Sequence, residues 1–170
     1  MTSTTLRRVD PTERAAPARR AYVAFLGTRV GRWTAINIAP KADPWLLTIS
    51  GGRVGMALIL PSTLLTTRGA KTGRARSNAV LYFNDGADVI VIASSYGRES
   101  NPSWYYNLTT HPAVTVGDGQ SMTATEVAEE SERIRLWSLA DRIYPLFADY
   151  RVRAAASGRT IPIIRLSENA

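Results

Sequence analysis

Val89–Ala93 (VIVIA) is apolar at every position and follows Asn84-Asp85-Gly86, a hairpin turn signal. A run this short, with no polar alternation, reads as a strand buried on both faces at the centre of a sheet. Its neighbours repeat the pattern. Ser77–Phe83 lies on the other side of the turn, and Ser62–Thr67 is β-branched and apolar. Ala113–Val116 joins Met122–Val127 through Gly117-Asp118-Gly119. Leu46–Ile49 and Val54–Leu60 flank Gly51-Gly52, and Ile161–Ile164 forms a last short strand. Consecutive short strands linked by hairpin turns predict an antiparallel barrel with helices packed outside. No Gly-x-Gly-x-x-Gly follows a strand, which argues against a Rossmann fold, and there is no internal repeat.

Helical spacing appears in three places. Tyr22, Leu26, Val30 and Trp33 recur with Arg19, Arg20, Arg29 and Arg32 beside them, predicting a basic amphipathic helix over residues 19–39. Such a helix would cap the domain or rest on an anionic membrane surface. Residues 1–18 lack periodicity and read as a flexible basic tail, which leaves residues 40–170 for the barrel domain. Asn101-Pro102 reads as the N-cap and first position of a short helix over Ser103–Thr110, ended by His111-Pro112. Glu129, Glu130 and Glu132 open a longer helix with an expected apolar stripe of Ile134, Trp137, Ala140, Ile143 and Tyr144.

Composition removes much of the chemistry such a fold can host. The 170-residue chain has no cysteine, so disulfides, thiolate nucleophiles, iron–sulfur clusters and cysteine zinc sites are excluded. The single histidine, His111, rules out a two-histidine metal site, and no metal is expected. A net charge of +7 favours an anionic partner: nucleic acid, anionic lipid or a phosphorylated cofactor. No helix-turn-helix or zinc pattern supports nucleic acid, so that partner is not expected. No apolar run is long enough to span a membrane and no secretory signal opens the chain, so a cytoplasmic protein is expected, with the basic helix as its route to a membrane.

Three stretches carry chemistry. Leu64–Arg76 (LLTTRGAKTGRAR) runs from a strand into a loop with two glycines, Lys71, Thr72 and the arginines Arg68, Arg74 and Arg76. It is not a Walker A loop, because Ala70 precedes Lys71 where that motif requires glycine. It fits an anion seat or, alternatively, an exposed basic turn. Ala93–Leu108 (ASSYGRESNPSWYYNL) ends a strand in hydroxyls and starts a helix with Trp104, Tyr105 and Asn107. That arrangement suits a planar ring beside a helix start, or a plain core pair of Trp104 and Leu108. Tyr144–Tyr150 (YPLFADY) is either a pocket wall or an aromatic corner.

These segments, with Arg159–Ile164 (RTIPII), resemble the deazaflavin-dependent nitroreductase and quinone-reductase family over about Trp45–Ile164. The resemblance implies a mainly β fold with flanking helices, a split β-barrel of the FMN-binding, pyridoxamine-phosphate-oxidase-like type. It implies coenzyme F420 as cofactor and hydride transfer to a small-molecule acceptor such as a quinone, an enone or a nitro compound. By position, Lys71 and Thr72 match the residues that meet the cofactor's phosphate and acidic tail. Arg76 and Asn78 match residues that line the cofactor, Ala93 and Ser94 the strand end beside it, and Trp104, Tyr105 and Asn107 the helix start that walls it.

Three positions depart from the family pattern. Ser95 stands where many members carry a basic residue, so one anion contact is either missing or supplied by Arg98. Ala70 replaces an arginine, for which Arg68 or Arg74 would compensate. In the C-terminal segment the series is Tyr144, Phe147 and Tyr150 where some quinone-reducing members have three tyrosines. That leaves Tyr144, Tyr150 or water as proton donor. The rival readings are a non-catalytic split barrel that binds lipid or fatty acid, and an FMN-dependent reductase on the same fold. Split barrels often pair, so a homodimer stands beside a monomer as an open alternative.

Overall fold

The computed structural model describes residues 6–13, 16–37 and 60–168. Six strands among them close into a barrel: β1 (Ser62–Arg68), β2 (Ala75–Asp85), β3 (Asp88–Ile92), β4 (Ala113–Val116), β5 (Gln120–Glu126) and β6 (Ile163–Glu168). The order around the barrel is β1-β2-β3-β6-β5-β4, and every neighbouring pair is antiparallel. This is the expected split barrel with helices outside. The expected strands over Leu46–Ile49 and Val54–Leu60 lie outside the described residues except for Leu60, which precedes β1 and is not in a strand.

The pleat explains why VIVIA has no polar face. Val89, Val91 and Ala93 point into the barrel, with Leu65, Val80, Tyr82, Val114, Met122 and Leu166. Ile90 and Ile92 point outward into a second core, beneath α4 (Glu130–Ile143) and α5 (Phe147–Ala156). Both sides of β3 are therefore dry. At its start, Gly86 turns the hairpin with φ of +63°, a conformation glycine adopts without strain.

The helices depart from expectation in four ways. The N-terminal helix is two: α1 (Pro17–Leu26) and α2 (Arg29–Asn37), parted at Gly27-Thr28. The Thr28 hydroxyl donates to the Phe25 carbonyl and accepts the Gly31 N–H at 3.0 Å, ending one helix and capping the next. In α3 (Ser103–Thr110) Pro102, not Asn101, holds the N-cap position. Glu129 does cap α4, accepting the Ser131 and Glu132 N–H groups, but the buried stripe of α4 is Leu136, Ala140 and Ile143. Ile134 is 63% exposed, because Leu136 lies two residues, about 200° of arc, around the helix from it. Finally, α5 occupies a segment read only as an aromatic wall or corner.

Residues 6–13 are not loosely held. Val9 and Asn84 exchange hydrogen bonds, Val9 N–H to Asn84 Oδ1 and Asn84 N–H to the Val9 carbonyl, both 2.8 Å. The buried Tyr82 hydroxyl donates to the Arg7 carbonyl at 2.7 Å. The flexible-tail reading fails for this stretch because its anchors lie 75 residues away on β2, where local periodicity cannot register them.

Candidate cofactor site

The basic loop Gly69–Arg74 connects β1 to β2. The Gly69 N–H donates to the Arg74 carbonyl and the Gly73 N–H to the Gly69 carbonyl, each at 2.8 Å, so the loop is a closed turn. Gly73 sits at φ +67°, and a Cβ on Gly69 would meet Thr72 Oγ1 at 2.8 Å. The left-handed turn thus requires Gly73, while a side chain at Gly69 would need the Thr72 hydroxyl and the Arg74 carbonyl, 3.1 Å away, to give. Arg68, Lys71, Thr72, Arg74 and Arg76 are all exposed, and none of these cations has a carboxylate partner among the described residues. Arg76 and Asn78 share the face of β2 that carries Val80 and Tyr82 inward, so both stand at the barrel mouth.

Asn107 fixes this loop to α3. Its Oδ1 accepts the Ala70 N–H at 3.0 Å, and its Nδ2 donates to Thr67 Oγ1 at 3.0 Å. Thr67 is only 1% exposed, and its hydroxyl has the Arg76 carbonyl as its own acceptor at 3.4 Å. The amide is thus engaged at both ends. Trp104 and Leu108 are buried in the barrel interior, so of the two readings of that pair the core one describes their packing. Tyr105, beside them, keeps its ring half-exposed. Its hydroxyl donates to Glu126 Oε2 at 2.8 Å, and burial first, then that carboxylate, push the phenol up to about 12. His111 stands at the end of α3 with its N–H on the Asn107 carbonyl.

After β3, Ala93 is fully buried while Ser94 and Ser95 are half-exposed. Ser95, Tyr96 and Gly97 are consecutively left-handed, at φ of +49°, +57° and +71°. Two of these are not glycine, so the turn is strained and needs outside support. Gly97 supplies part of it by lying flat on α5, where a Cβ would come within 2.8 Å of the Tyr150 carbonyl. Arg98 lies over the Tyr96 ring at 5.6 Å. Arg159, absent from the expected site, donates to this segment from the start of the chain leading to β6.

Tyr144 and Tyr150 face each other in the outer core, their hydroxyls 3.2 Å apart. Phe147 packs edge-on against both rings, with centroids at 5.2 and 6.4 Å. Tyr96 meets Tyr150 at 6.1 Å and joins the cluster to the Ala93–Asn101 loop. Desolvation raises Tyr144 far above the ordinary phenol range and Tyr150 to about 12. Burial therefore makes both phenols weaker acids than an exposed tyrosine, which is itself protonated at neutral pH. Among the described residues no group of three or more His, Cys, Asp or Glu side chains could hold a metal, and no helix is long and apolar enough to cross a membrane.

The fold and these residues can be set beside known proteins. The family model for F420H(2)-dependent quinone reductase matches residues 41–168. A putative F420H(2)-dependent quinone reductase of Mycobacterium tuberculosis is 35% identical over 109 residues, 63% of this chain and 89% of that protein. A second F420H(2)-dependent quinone reductase of the same organism is 31% identical over 125 residues, 69% of this chain and 82% of the other. Among solved structures, an F420-H2 dependent reductase (FDR-A) is 34% identical with a TM-score of 0.55, over 63% of this chain and 94% of that one. A structure described as a domain-swapped dimer is 30% identical with a TM-score of 0.56, over 73% and 95% of the two chains.

Proposed function

The chain belongs to the F420H(2)-dependent quinone reductase family, and from that premise we propose that it binds F420 through the Gly69–Arg74 loop and the mouth of the barrel, and reduces a quinone, enone or nitro acceptor. The observation that carries the reading is the group of four cations, Arg68, Lys71, Arg74 and Arg76, on and beside one glycine turn, with no carboxylate partner among the described residues. Exposed, unpaired charge on a loop whose shape is already fixed suits an extended anionic tail better than a single phosphate. When bound, the reduced deazaflavin supplies the hydride.

The chain's own residues do the rest. Lys71, Thr72 and Arg76 hold the phosphate and acidic tail, with Arg68 and Arg74 covering for Ala70. Asn107 keeps the turn in shape, and Trp104 anchors the helix that presents Tyr105 and Asn107. Asn78, Ala93, Ser94 and Ser95 line the barrel end. Tyr144 or Tyr150, whose hydroxyls pair with each other in the outer core, is the candidate proton donor to the reduced acceptor. No protein nucleophile is called for, which agrees with a cysteine-free chain.

Fluorescence titration tests the reading. F420 should bind more tightly than FMN, and Lys71→Ala with Arg76→Ala should weaken F420 about tenfold or more per site, each lost charge-assisted contact contributing about 1.5–3 kcal/mol. Equal or tighter FMN binding would overturn the F420 reading, and a double variant that binds F420 like wild type would place the anion seat elsewhere.

A further inference from the structure

Arg159 spends its whole guanidinium on one loop. Nε–H donates to Asn101 Oδ1 at 2.7 Å and Nη1–H to the Arg98 carbonyl at 2.6 Å. Both terminal nitrogens reach the Ser94 carbonyl at 3.2 Å, and Nη2 also meets the Ala93 carbonyl. Its backbone N–H is fixed on the Ala154 carbonyl at the end of α5. It has no carboxylate partner among the described residues, and burial lowers its proton affinity. A half-buried arginine that meets only carbonyl dipoles and one amide is costly unless the loop it gathers repays it.

The gathered loop is the strained one. Ser95, Tyr96 and Gly97 are left-handed, and Arg159 grips the chain on both sides of them. The described peptides are all trans, so an N–H points opposite to the carbonyl that shares its plane. Drawing the Ser94 and Arg98 carbonyls toward Arg159 therefore turns the N–H groups of Ser95 and Glu99 the other way. Neither N–H donates to a partner within the loop.

We propose that Arg159 is a positioning residue that aims the Ser95 and Glu99 N–H groups at an electron-rich oxygen of the bound molecule, the carbonyl of either the cofactor ring or the acceptor. The ligand in this statement rests on the F420 reading above; the loop geometry does not. A lysine keeps the charge but cannot bridge four acceptors from one nitrogen.

Arg159→Lys and Asn101→Ala test the proposal, with amide exchange over residues 94–101, F420 titration, and kcat and KM for a quinone with F420H2. In Arg159→Lys, exchange in the loop should rise about tenfold while β3 and β6 stay as protected as in wild type. F420 affinity should fall about tenfold if the oxygen is the cofactor's; if it is the acceptor's, KM should rise instead. Asn101→Ala, which removes one contact, should move the same readings less far and decides the matter if the arginine variant does not fold. Unchanged loop exchange overturns the proposal. So does faster exchange with both F420 affinity and KM unchanged, which would make Arg159 only structural, and so does an Arg159→Lys that matches wild type where Arg159→Met does not, which would make charge the cause. Failure of wild type to bind F420 would sink the proposed function. Loop exchange, together with the same comparison using FMN as the probe ligand, would then decide the positioning role.

Discussion

Tyr144 and Tyr150 are each other's hydroxyl partner in a buried cluster, so neither can be changed without affecting the other. Tyr150→Phe should leave the Tyr144 hydroxyl unpaired and reduce stability by about 1–3 kcal/mol, and the double Phe variant should cost less than the two singles combined. If either phenol is the proton donor, its Phe variant should also lose about 10²–10⁴-fold in kcat on a quinone or enone with F420 affinity unchanged. Loss confined to KM would make the pair a pocket wall. The cationic residues and glycines of the loop were legible in the sequence because their chemistry is a local property of thirteen consecutive residues. What Asn107 and Arg159 do was not. An amide that clasps the Ala70 N–H and the Thr67 hydroxyl, or a guanidinium that gathers carbonyls from Ala93 to Arg98, is defined by partners up to 66 residues distant, and backbone donors and acceptors leave no mark on residue type.

The β2–β3 hairpin, α4 and β6 are joined by one ionic network. Arg165 contacts Asp85 at 3.0 Å, Asp88 at 2.6 Å and Glu132 at 2.5 Å, and Arg135 contacts Asp85 at 2.6 Å and Glu132 at 2.7 Å. The hydrogen bonds from Arg135 are the main reason that Asp85 and Glu132 titrate below the ordinary carboxylate range. A carboxyl depressed in the folded state stabilises above its unfolded value, about 4, and that stability is lost as pH falls through the lower folded value. The melting temperature should therefore hold from pH 7 to about 5 and drop below about 4, and Asp85→Asn should flatten the drop. Strands and hairpins were readable at this scale because alternation and turn residues are short-range. Helix α5 was not, although Phe147, Tyr150 and Ala154 are spaced for one buried face. Pro145 and the crowd of aromatics carried the stronger signal, and tertiary packing on Gly97 decided the outcome.

In the whole molecule, the N-terminal strap and the barrel closure depend on contacts between distant parts of the chain. A chain starting at Ala16 loses the Val9–Asn84 exchange and strands the buried Tyr82 phenol, so calorimetry should show it less stable by about 2–3 kcal/mol, roughly 5–10 °C in melting temperature. An unchanged melting temperature would mean that the strap merely lies on β2. Closure has its own consequence in time. Strand β3 pairs with β6 through Val89–Leu166 and Ile92–Ile163, partners 77 and 71 residues apart. The β1–β2, β2–β3 and β4–β5 hairpins can form as soon as they are made, but this seam waits for nearly the whole chain and pays the entropy of a long loop. Folding thus belongs to the slow, millisecond-to-second regime of non-local topologies. Arg159 lies four residues before the start of β6, so its fork can close on the Ala93–Asn101 loop only when that last strand docks. A ligand that needs the finished loop finds nothing to template during folding; it can act only afterwards, by slowing the opening of a barrel that has already closed.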